Sequence, residues 1–485
     1  MKAICLYFEI HQSVHLKRYR FFEIGKDHYY YDDYENERTV TEVAQKSYIP
    51  ALTAMLEMAR AHAGYFKVAF SLSGVGMEQL EIYAPEVIEL LQQLAETGCV
   101  EFLAEPYSHG LSSLADEEVF MEETLRQARR IKEVFGQAPK VLRNSSLIYD
   151  DEIGALAGRM GFKGMIAEGA KHILGWKSPH FVYHCAMNPD VKLLLRDYKL
   201  SDDISLRFND SSWNEYPLFA DKYIDWIDRL PENEKVVNLF MELKALGISQ
   251  PLSSNILEFF KALPTLARER GVVFATPSEI IGKAKSVGAV EVAYPVSWND
   301  EERDTSCWLG NVMQREAFAK LYQEAGRILA CQDRRIKQDW DRIQASDNFR
   351  FMTTKPLSVG SCRGMFDTPY DAFTNYMNIL GDFIKRVQEL FPIEVEDDEL
   401  NALYTAIRNQ GEEICVKDLE ISRLRARLEK YEGKAEEELA DVVKPAKKAT
   451  TKKTAVKKAV PKKEPIAKPA AKKATASKKT KAKED

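Results

Sequence analysis

Polar and ionisable side chains follow the apolar runs of this sequence, where carboxyl groups, imidazoles and hydroxyls could bind or transform a polar ligand. Charged groups are rarely buried without partners, so a set that recurs at the ends of successive elements is typical of a lined pocket. Taken singly, His11 or His109 could equally be a hydrogen-bonded structural residue, but the shared position favours a functional role. The set comprises Glu9, His11, Gln12, Ser71, Ser73, Glu105, Tyr107, His109, Asn144, Ser145, Ser146, Glu168, Asp197, Glu242 and Thr276.

Short apolar runs alternate with longer segments of helical periodicity as far as about residue 300. This alternation predicts parallel strands joined by right-handed helical crossovers. So many strands favour a closed β/α barrel over an open, doubly wound sheet, which is the second interpretation. In a barrel the strand ends meet at one face, where active sites form. The runs cover residues 3–8, 66–72, 100–104, 140–143, 164–167, 193–195, 236–241 and 272–275.

Five segments resemble, in order, the motif regions of glycoside hydrolase family 57, in particular its α-amylase group. They are residues 8–12 (FEIHQ), 101–109 (EFLAEPYSH), 143–149 (RNSSLIY), 238–242 (NLFME) and 297–304 (SWNDEERD). The likeness extends over about residues 1–395 and includes residues 369–373 (PYDAF). It implies a seven-stranded β/α barrel, which we place at residues 1–295, and an α-helical domain at residues 296–397. It also implies action on α-glucans such as starch and glycogen, with retention of configuration.

The two positions that carry the catalytic carboxylates of that family differ in this chain. A retaining glycosidase needs two carboxyl groups about 5 to 5.5 Å apart. The resemblance places the nucleophile position at Ser146 and the general acid, an Asp in the family, at Glu242. A hydroxyl needs a neighbouring base before it attacks, and residues 144–149 offer none at an obvious position. The extra methylene of Glu242 displaces the acid, and a displacement of about 1 Å can lower the rate on the order of a hundredfold.

Other motif positions have changed in the same direction. Ser13 stands where the active group has proline, residues 244–249 (KALGIS) replace a Glu-Thr-Phe-Gly-Glu-His pattern, and Asn348 replaces a histidine. Within the same resemblance we assign substrate binding to His11, Glu105, His109, Trp298 and Asp300. Correlated changes of this kind indicate relaxed or redirected function rather than one accidental substitution.

Three functions remain open at this point. The first is a catalytically impaired homologue that binds α-glucan or regulates its metabolism, with a sugar site shaped by aromatic residues unless these belong to the core. The aromatic candidates are Tyr107, Trp213, Trp298 and Trp308, beside His109. The second is an active hydrolase or transglycosylase with Glu242 as acid, in which an inverting arrangement would separate the carboxyl groups by about 6.5 to 9.5 Å. Its replacement nucleophile or base would be Glu9, Glu105, Asp150, Asp151 or Glu168.

The third is an interaction protein that uses the C-terminal segments. Residues 398–440 carry apolar side chains every seven positions, from Leu400 to Leu428, which predicts a coiled-coil-like helix and a homo-oligomer formed through residues 398–431. A single amphipathic helix packed on its own domain is the alternative.

Residues 441–485 are rich in Lys, Ala and Pro and are predicted to be disordered. Residues 442–485 carry a net charge of +13, against −19 for residues 1–441, so polyanion contact is expected only from this tail.

The sequence predicts neither a metal site nor a cofactor. Its 8 histidines lack zinc-binding spacing, and no glycine-rich phosphate loop is present. The 7 cysteines include no Cys-x-x-Cys, which indicates reduced thiols. The apolar run at residues 3–8 is too short for a signal peptide or a membrane span, so we predict a cytoplasmic protein without membrane contact.

Overall fold

The computed structural model describes residues 2–356 and 364–390 and, beyond them, only Gln410, Lys417 and Ile421. Strands and helices alternate up to residue 290, and helices alone follow in the described residues. The strands are β1 (Ala3–Ile10), β2 (Val68–Leu72), β3 (Val100–Leu103), β4 (Val141–Arg143), β5 (Gly164–Glu168), β6 (Val182–Cys185), β7 (Lys192–Arg196), β8 (Val236–Glu242), β9 (Val273–Phe274) and β10 (Ala289–Val290).

The α-helices begin after β1 and are longest around the strands and at the end of the described chain. They are α1 (Asp33–Val43), α2 (Ile49–Ala61), α3 (Gly74–Tyr83), α4 (Pro85–Glu96), α5 (Glu117–Phe135), α6 (Asp151–Arg159), α7 (Lys171–Leu174), α8 (Tyr198–Ser205), α9 (Ala220–Asp228), α10 (Ile256–Glu269), α11 (Pro277–Lys283), α12 (Ser306–Leu309), α13 (Val312–Tyr322), α14 (Ala325–Ala330), α15 (Arg334–Ile343), α16 (Ser346–Arg350) and α17 (Pro369–Leu390). No helix in the described part of the chain combines enough length and apolarity to cross a membrane.

The described strands form two sheets that meet along two seams. The first has the order β3–β2–β1–β8, with β9 also paired to β1, and the second has the order β10–β6–β7–β5–β4. At one seam the Ala104 N–H donates to the Val141 carbonyl (3.0 Å), and at the other the Asp197 N–H donates to the Asn238 carbonyl (2.9 Å). The strand ends of both sheets therefore converge on one region.

The predicted α/β fold is confirmed, and every predicted run overlaps a strand: β1 to β5, β7, β8 and β9. The pairings among these predicted strands are parallel, as expected, whereas β6, which lies outside the predicted runs, runs antiparallel to β7. The sequence analysis missed β6 and β10. A short turn can join antiparallel strands, and here the Val191 N–H donates to the Asn188 carbonyl (3.0 Å) between β6 and β7.

In strand β1 the alternation of side-chain directions determines which residues point to the region where the two sheets meet. Alternate side chains of a strand point to opposite faces. Ile4 and Phe8 pack in the core formed with the outer helices, whereas Cys5 and Tyr7 pack in a smaller core with residues from both sheets. Glu9 is next in the inward series and ends 5% exposed.

The predicted C-terminal segments lie mostly outside the described residues. This holds for the coiled-coil-like helix at 398–440, of which Gln410, Lys417 and Ile421 are described and helical, and for the whole lysine-rich tail. Both remain predictions.

Candidate functional site

A cleft opens where the strand ends face the helices that follow residue 296. Of the predicted site residues, the structure brings together His11, His109, Ser146, Glu242 and Trp298 in its lining, whereas Glu105 and Asp300 lie behind it. The full lining is Glu9, His11, Tyr48, His109, Ser146, Glu242, Lys244, Trp298, Asn299, Trp308, Ser346, Asp347 and Arg350.

The bottom of the cleft is a cluster of charged residues, Glu9, Glu105, His109 and Arg143, which we call the floor cluster. The Arg143 guanidinium lies 2.7 Å from Glu9 and 3.2 Å from Glu105. His109 Nδ1 is 2.6 Å from the Glu105 carboxylate, and His109 Nε2 is 3.4 Å from Glu9. The Glu105 side chain is fully buried and also accepts a hydrogen bond from Ser71.

The two carboxyl groups of the floor cluster differ in proton affinity. Burial raises the pKa of Glu9 to about 7, an effect that Arg143 and His109 only partly offset. Burial acts in the same direction on Glu105, but Arg143 and the hydrogen bonds from His109 and Ser71 outweigh it and lower the pKa of Glu105. Of these two carboxyl groups, Glu9 is therefore the one that can exchange a proton near neutral pH.

The floor cluster has the donor groups of a metal site. Ligand atoms of Glu9, Glu105 and His109 lie within 4.8 Å of one another. The guanidinium of Arg143 already lies within hydrogen-bonding distance of both carboxylates and 3.2 Å from His109 Nδ1. It supplies the positive charge, and a metal ion would have to displace it, so we assign no metal to these residues.

Two stacked imidazoles form one side of the cleft. The rings of His11 and His109 lie 3.9 Å apart and nearly parallel. Burial and the neighbouring His109 lower the pKa of His11 well below its usual value, so His11 is neutral at pH 7. Its Nδ1 is 2.6 Å from the Ser73 hydroxyl, and its buried Nε2 has no hydrogen-bond partner in the described structure. The Asp347 carboxylate lies 3.9 Å from that nitrogen.

Ser146 follows β4 in an unusual backbone conformation. Its φ and ψ angles are 50° and 30°, and Leu147 also has a positive φ of 54°. Non-glycine residues adopt this left-handed region only at a cost, on the order of 1 kcal/mol or more, which the surroundings must offset. The Ser146 carbonyl accepts a hydrogen bond from the Trp298 N–H (3.0 Å), which fixes the main chain at this position.

Glu242 ends β8 and lies beside Lys244 at the mouth of the cleft. The two side chains are 3.2 Å apart and 39% and 38% exposed. Burial favours protonation of Glu242, but Lys244 and Arg350 outweigh it and lower its pKa. A general acid works best with a raised pKa, so this pairing opposes that role.

The other carboxylates predicted as replacements occupy structural positions. Asp150 caps α6 through the Ile153 N–H (2.8 Å), and Asp151 accepts from the Val292 N–H (2.8 Å). Glu168 is buried against Arg196 (3.3 Å), and Glu105 is part of the floor cluster. Of the five predicted replacements, Glu9 is the one in the cleft lining.

The aromatic candidates divide between the cleft and the core. Trp298 lines the cleft and packs against the guanidinium groups of Arg143 (5.2 Å) and Arg196 (5.6 Å), whereas Trp308 borders the cleft but is 1% exposed and belongs to the core. Trp213 instead packs against Trp226, and Tyr107 lies beneath Arg126. Neither Trp213 nor Tyr107 belongs to the lining.

Asp300 adjoins the cleft without lining it. Its carboxylate lies 3.1 Å from the Lys355 ammonium group, and its φ is 57°. The preceding residue, Asn299, is in the lining. Asp300 therefore fixes the loop beside the cleft rather than facing a ligand.

Sequence reasoning missed several lining residues. Tyr48 ends a π-helical turn (Ala44–Tyr48) between α1 and α2, and its hydroxyl donates to the His11 carbonyl (3.2 Å). Asp347 accepts a hydrogen bond from Ser13 (2.6 Å). The altered family pattern at residues 347–349 was a usable signal for Asp347, whereas nothing in the periodicity of α1 and α2 indicates Tyr48. Lys244, Ser346 and Arg350 were missed as well.

Comparisons with known proteins agree with the motif resemblance. Residues 5–293 match the model of the family described as glycosyl hydrolase family 57. The chain is 36% identical over 438 residues to "Putative alpha-amylase" of Methanocaldococcus jannaschii, covering 86% of this chain and 90% of that protein.

Solved structures show the same fold at low sequence identity. A branching enzyme of this family from Thermococcus kodakaraensis, in complex with glucose, gives a TM-score of 0.58 at 14% identity over 83% of this chain and 94% of its own. The 4-alpha-glucanotransferase of Thermococcus litoralis gives a TM-score of 0.55 at 14% identity over 78% of this chain and 59% of its own. The present chain thus spans little more than half of the glucanotransferase.

Proposed function

Because this chain belongs to glycosyl hydrolase family 57, we propose that its cleft binds an α-glucan and that the protein is a catalytically impaired homologue acting in binding or regulation. The activities for which the similar proteins are named, α-amylase, branching enzyme and glucanotransferase, support an α-glucan as the ligand. The neutral imidazole of His11 and the indole ring of Trp298, both in the cleft lining, are of the types that bind sugar hydroxyls and sugar faces.

Position 146 carries the proposal of impaired chemistry. In the family this position holds the nucleophilic carboxylate, and here it is a serine in the cleft lining with its main chain fixed to Trp298. Without that carboxylate a retaining mechanism lacks the group that forms the glycosyl-enzyme intermediate. The lowered pKa of Glu242 weakens the acid at the second position as well.

We further propose that the two sheets are one seven-stranded barrel formed by β1, β2, β3, β4, β5, β7 and β8, with the helices after residue 296 as a separate domain. The backbone hydrogen bonds at both seams support this ring. A cytoplasmic location, self-association through residues 398–431 and polyanion contact through the tail remain proposals from the sequence. Binding of DNA by the full chain but not by a chain ending at Ala440 would support the last of these.

The proposal is tested by incubating the purified chain with amylose and maltooligosaccharides while measuring both new reducing ends and equilibrium binding. We expect saturable binding with negligible hydrolysis. The matched variants are Glu242→Gln, which removes the acid, and His11→Ala, which removes the neutral imidazole and is expected to weaken binding at least tenfold. Robust turnover that Glu242→Gln abolishes would contradict impairment, and absence of binding would contradict the glucan ligand.

One observation favours a second candidate function, an active glucan hydrolase or transglycosylase with a rearranged pair. Glu9 lines the cleft with a pKa of about 7, which suits a group that both donates and accepts a proton. In that case hydrolysis would be detectable, would fall at least a hundredfold in Glu9→Gln, and would follow pH with an inflection near 7.

A further inference from the structure

A buried carboxyl group outside the cleft joins the two walls that carry His109 and Asp347. Glu123, on α5, is 1% exposed. Its Oε2 accepts hydrogen bonds from Ser108 (3.0 Å) and Ser112 (3.1 Å), and its Oε1 accepts one from Gln344 (2.8 Å). We call Glu123, Ser108, Ser112 and Gln344 the clamp.

The clamp contacts the main chain on both sides of the cleft wall. Ser108 precedes His109, and its hydroxyl oxygen accepts the Gly110 N–H (3.0 Å), which leaves the hydroxyl proton for Glu123. Gln344 lies at the end of α15 and is two residues before Ser346, which lines the cleft. One carboxyl group therefore receives donors from both segments.

The two segments are also paired directly with each other. Gly110 and Ala345 form an antiparallel bridge, and the Ser346 N–H donates to the His109 carbonyl (3.2 Å). A Cβ atom at Gly110 would come within 2.8 Å of the Gln344 carbonyl, so the approach is as close as glycine permits. His109 itself has a φ of 54°, a conformation that its neighbours must maintain.

We propose that Glu123 is a positioning residue that sets the distance between His109 and Asp347 and thereby the width of the glucan cleft. This inference rests on the proposed function for its ligand, but not for its geometry. A buried acceptor shared by three donors is costly to lose, because each donor would then remain unsatisfied. The carboxyl group also resists separation of the segments, since moving either one breaks bonds to the same two oxygens.

Amide hydrogen exchange tests the clamp without any ligand. We compare the full chain with Glu123→Ala, Glu123→Gln and Gln127→Leu. Gln127 is the matched control, because it is a fully buried residue of the same helix whose side chain bonds the Leu72 carbonyl rather than the cleft walls. In Glu123→Ala we expect exchange to rise at least tenfold in peptides covering residues 106–112 and 343–350 and to stay unchanged in β1 and β8.

Glu123→Gln should restore near-normal protection, because its amide oxygen can face Gln344 while its nitrogen donates to the serine hydroxyls. Gln344→Met removes one donor from the opposite side, and we expect the same local pattern at smaller size, which keeps the test open if Glu123→Ala does not fold. Unchanged exchange in these peptides, or a rise spread evenly as in Gln127→Leu, would overturn the proposal.

Maltooligosaccharide affinity of the same variants provides a separate readout. We expect about a tenfold loss in Glu123→Ala, recovery in Glu123→Gln and no change in Gln127→Leu. If the unmodified chain binds no glucan, the proposed function fails. The exchange pattern still tests whether Glu123 holds the two segments together. If the chain binds glucan and Glu123→Ala binds it equally well, the clamp does not set the cleft width.

Discussion

The floor cluster and the Glu242–Lys244 pair are two charged regions of one cleft with different physical properties. In the floor cluster, Arg143 is fully buried and contacts two carboxyl groups, and Glu105 is buried as well. At the mouth, Glu242 and Lys244 are more than one-third exposed and paired one to one. Loss of one partner from a buried ion pair costs much free energy, because the remaining charge is not solvated. Water screens the exposed pair, so loss of one partner there costs little.

This difference separates stability from chemistry. The floor cluster holds β1, β3 and β4 together through Arg143, so its charges are committed to the fold. The pair at the mouth contributes little to the fold, but its lysine lowers the pKa of Glu242. Ionisable groups in a cleft are therefore no measure of catalytic competence, because most of those here already have an opposite charge beside them.

Removal of the Arg143 side chain should lower the stability of the protein more than any other change considered below. In Arg143→Met the buried carboxylates of Glu9 and Glu105 lose their cation, so we expect the free energy of unfolding at pH 7 to fall by about 3–5 kcal/mol. Denaturant titration followed by circular dichroism measures the change. A loss of less than about 1 kcal/mol would mean that the floor cluster depends on its cation no more than the exposed Glu242–Lys244 pair does.

Glu123 extends the comparison to a buried carboxyl group whose direct donors are neutral. Burial and Asp341 raise its pKa from 4.5 to about 8. Between these values the folded chain retains a proton that the unfolded chain has released, so stability falls as pH rises, by at most about 1.4 kcal/mol per pH unit. The stability of Glu123→Gln relative to the unmodified chain should therefore increase between pH 5 and pH 8. Parallel pH profiles of the two proteins would contradict this expectation.

Lys244→Met should give the smallest change in stability, below about 1 kcal/mol, because the pair is exposed. Its effect should appear in proton affinity, since loss of the ammonium group raises the pKa of Glu242. Carboxyl carbon NMR of Glu242 across a pH series measures this. Arg159→Met, which removes an exposed pair with Glu117 on α5 and α6, is the control and should leave the Glu242 titration unchanged.

The sequence predicted the strands well because each buried strand is a compact apolar run with a polar residue at its end. Glu9, His11 and His109 were found in this way and do lie in the cleft. Strand β6 escaped because its pairing depends on the turn that follows, and its sequence gives no strong alternation. The local sequence thus predicts which side chains near a strand end point inward, whereas it does not predict which strands pair.

The lining residues that come from helices were harder to predict. Ser346, Asp347 and Arg350 reach the cleft through the contact between Gly110 and Ala345, residues 235 positions apart in the chain. No pattern near residue 347 reveals that contact. Glu105 and Asp300 were assigned to the ligand from the motif resemblance, but Glu105 pairs with His109 and Arg143 and Asp300 pairs with Lys355, contacts that only the fold determines.

The π-helical turn at Ala44–Tyr48 makes the cleft sensitive to the number of residues in a helix. Such a turn contains one residue more than an α-helical turn, and one residue corresponds to about 100° of rotation about the helix axis. Deleting a single residue between positions 44 and 47 would rotate Tyr48 away from the His11 carbonyl, or else rotate α2 against the sheet. The position of Tyr48 in the lining therefore depends on the extra residue of the π-helical turn. A change in the length of this helix can reshape the cleft even when no lining residue is substituted.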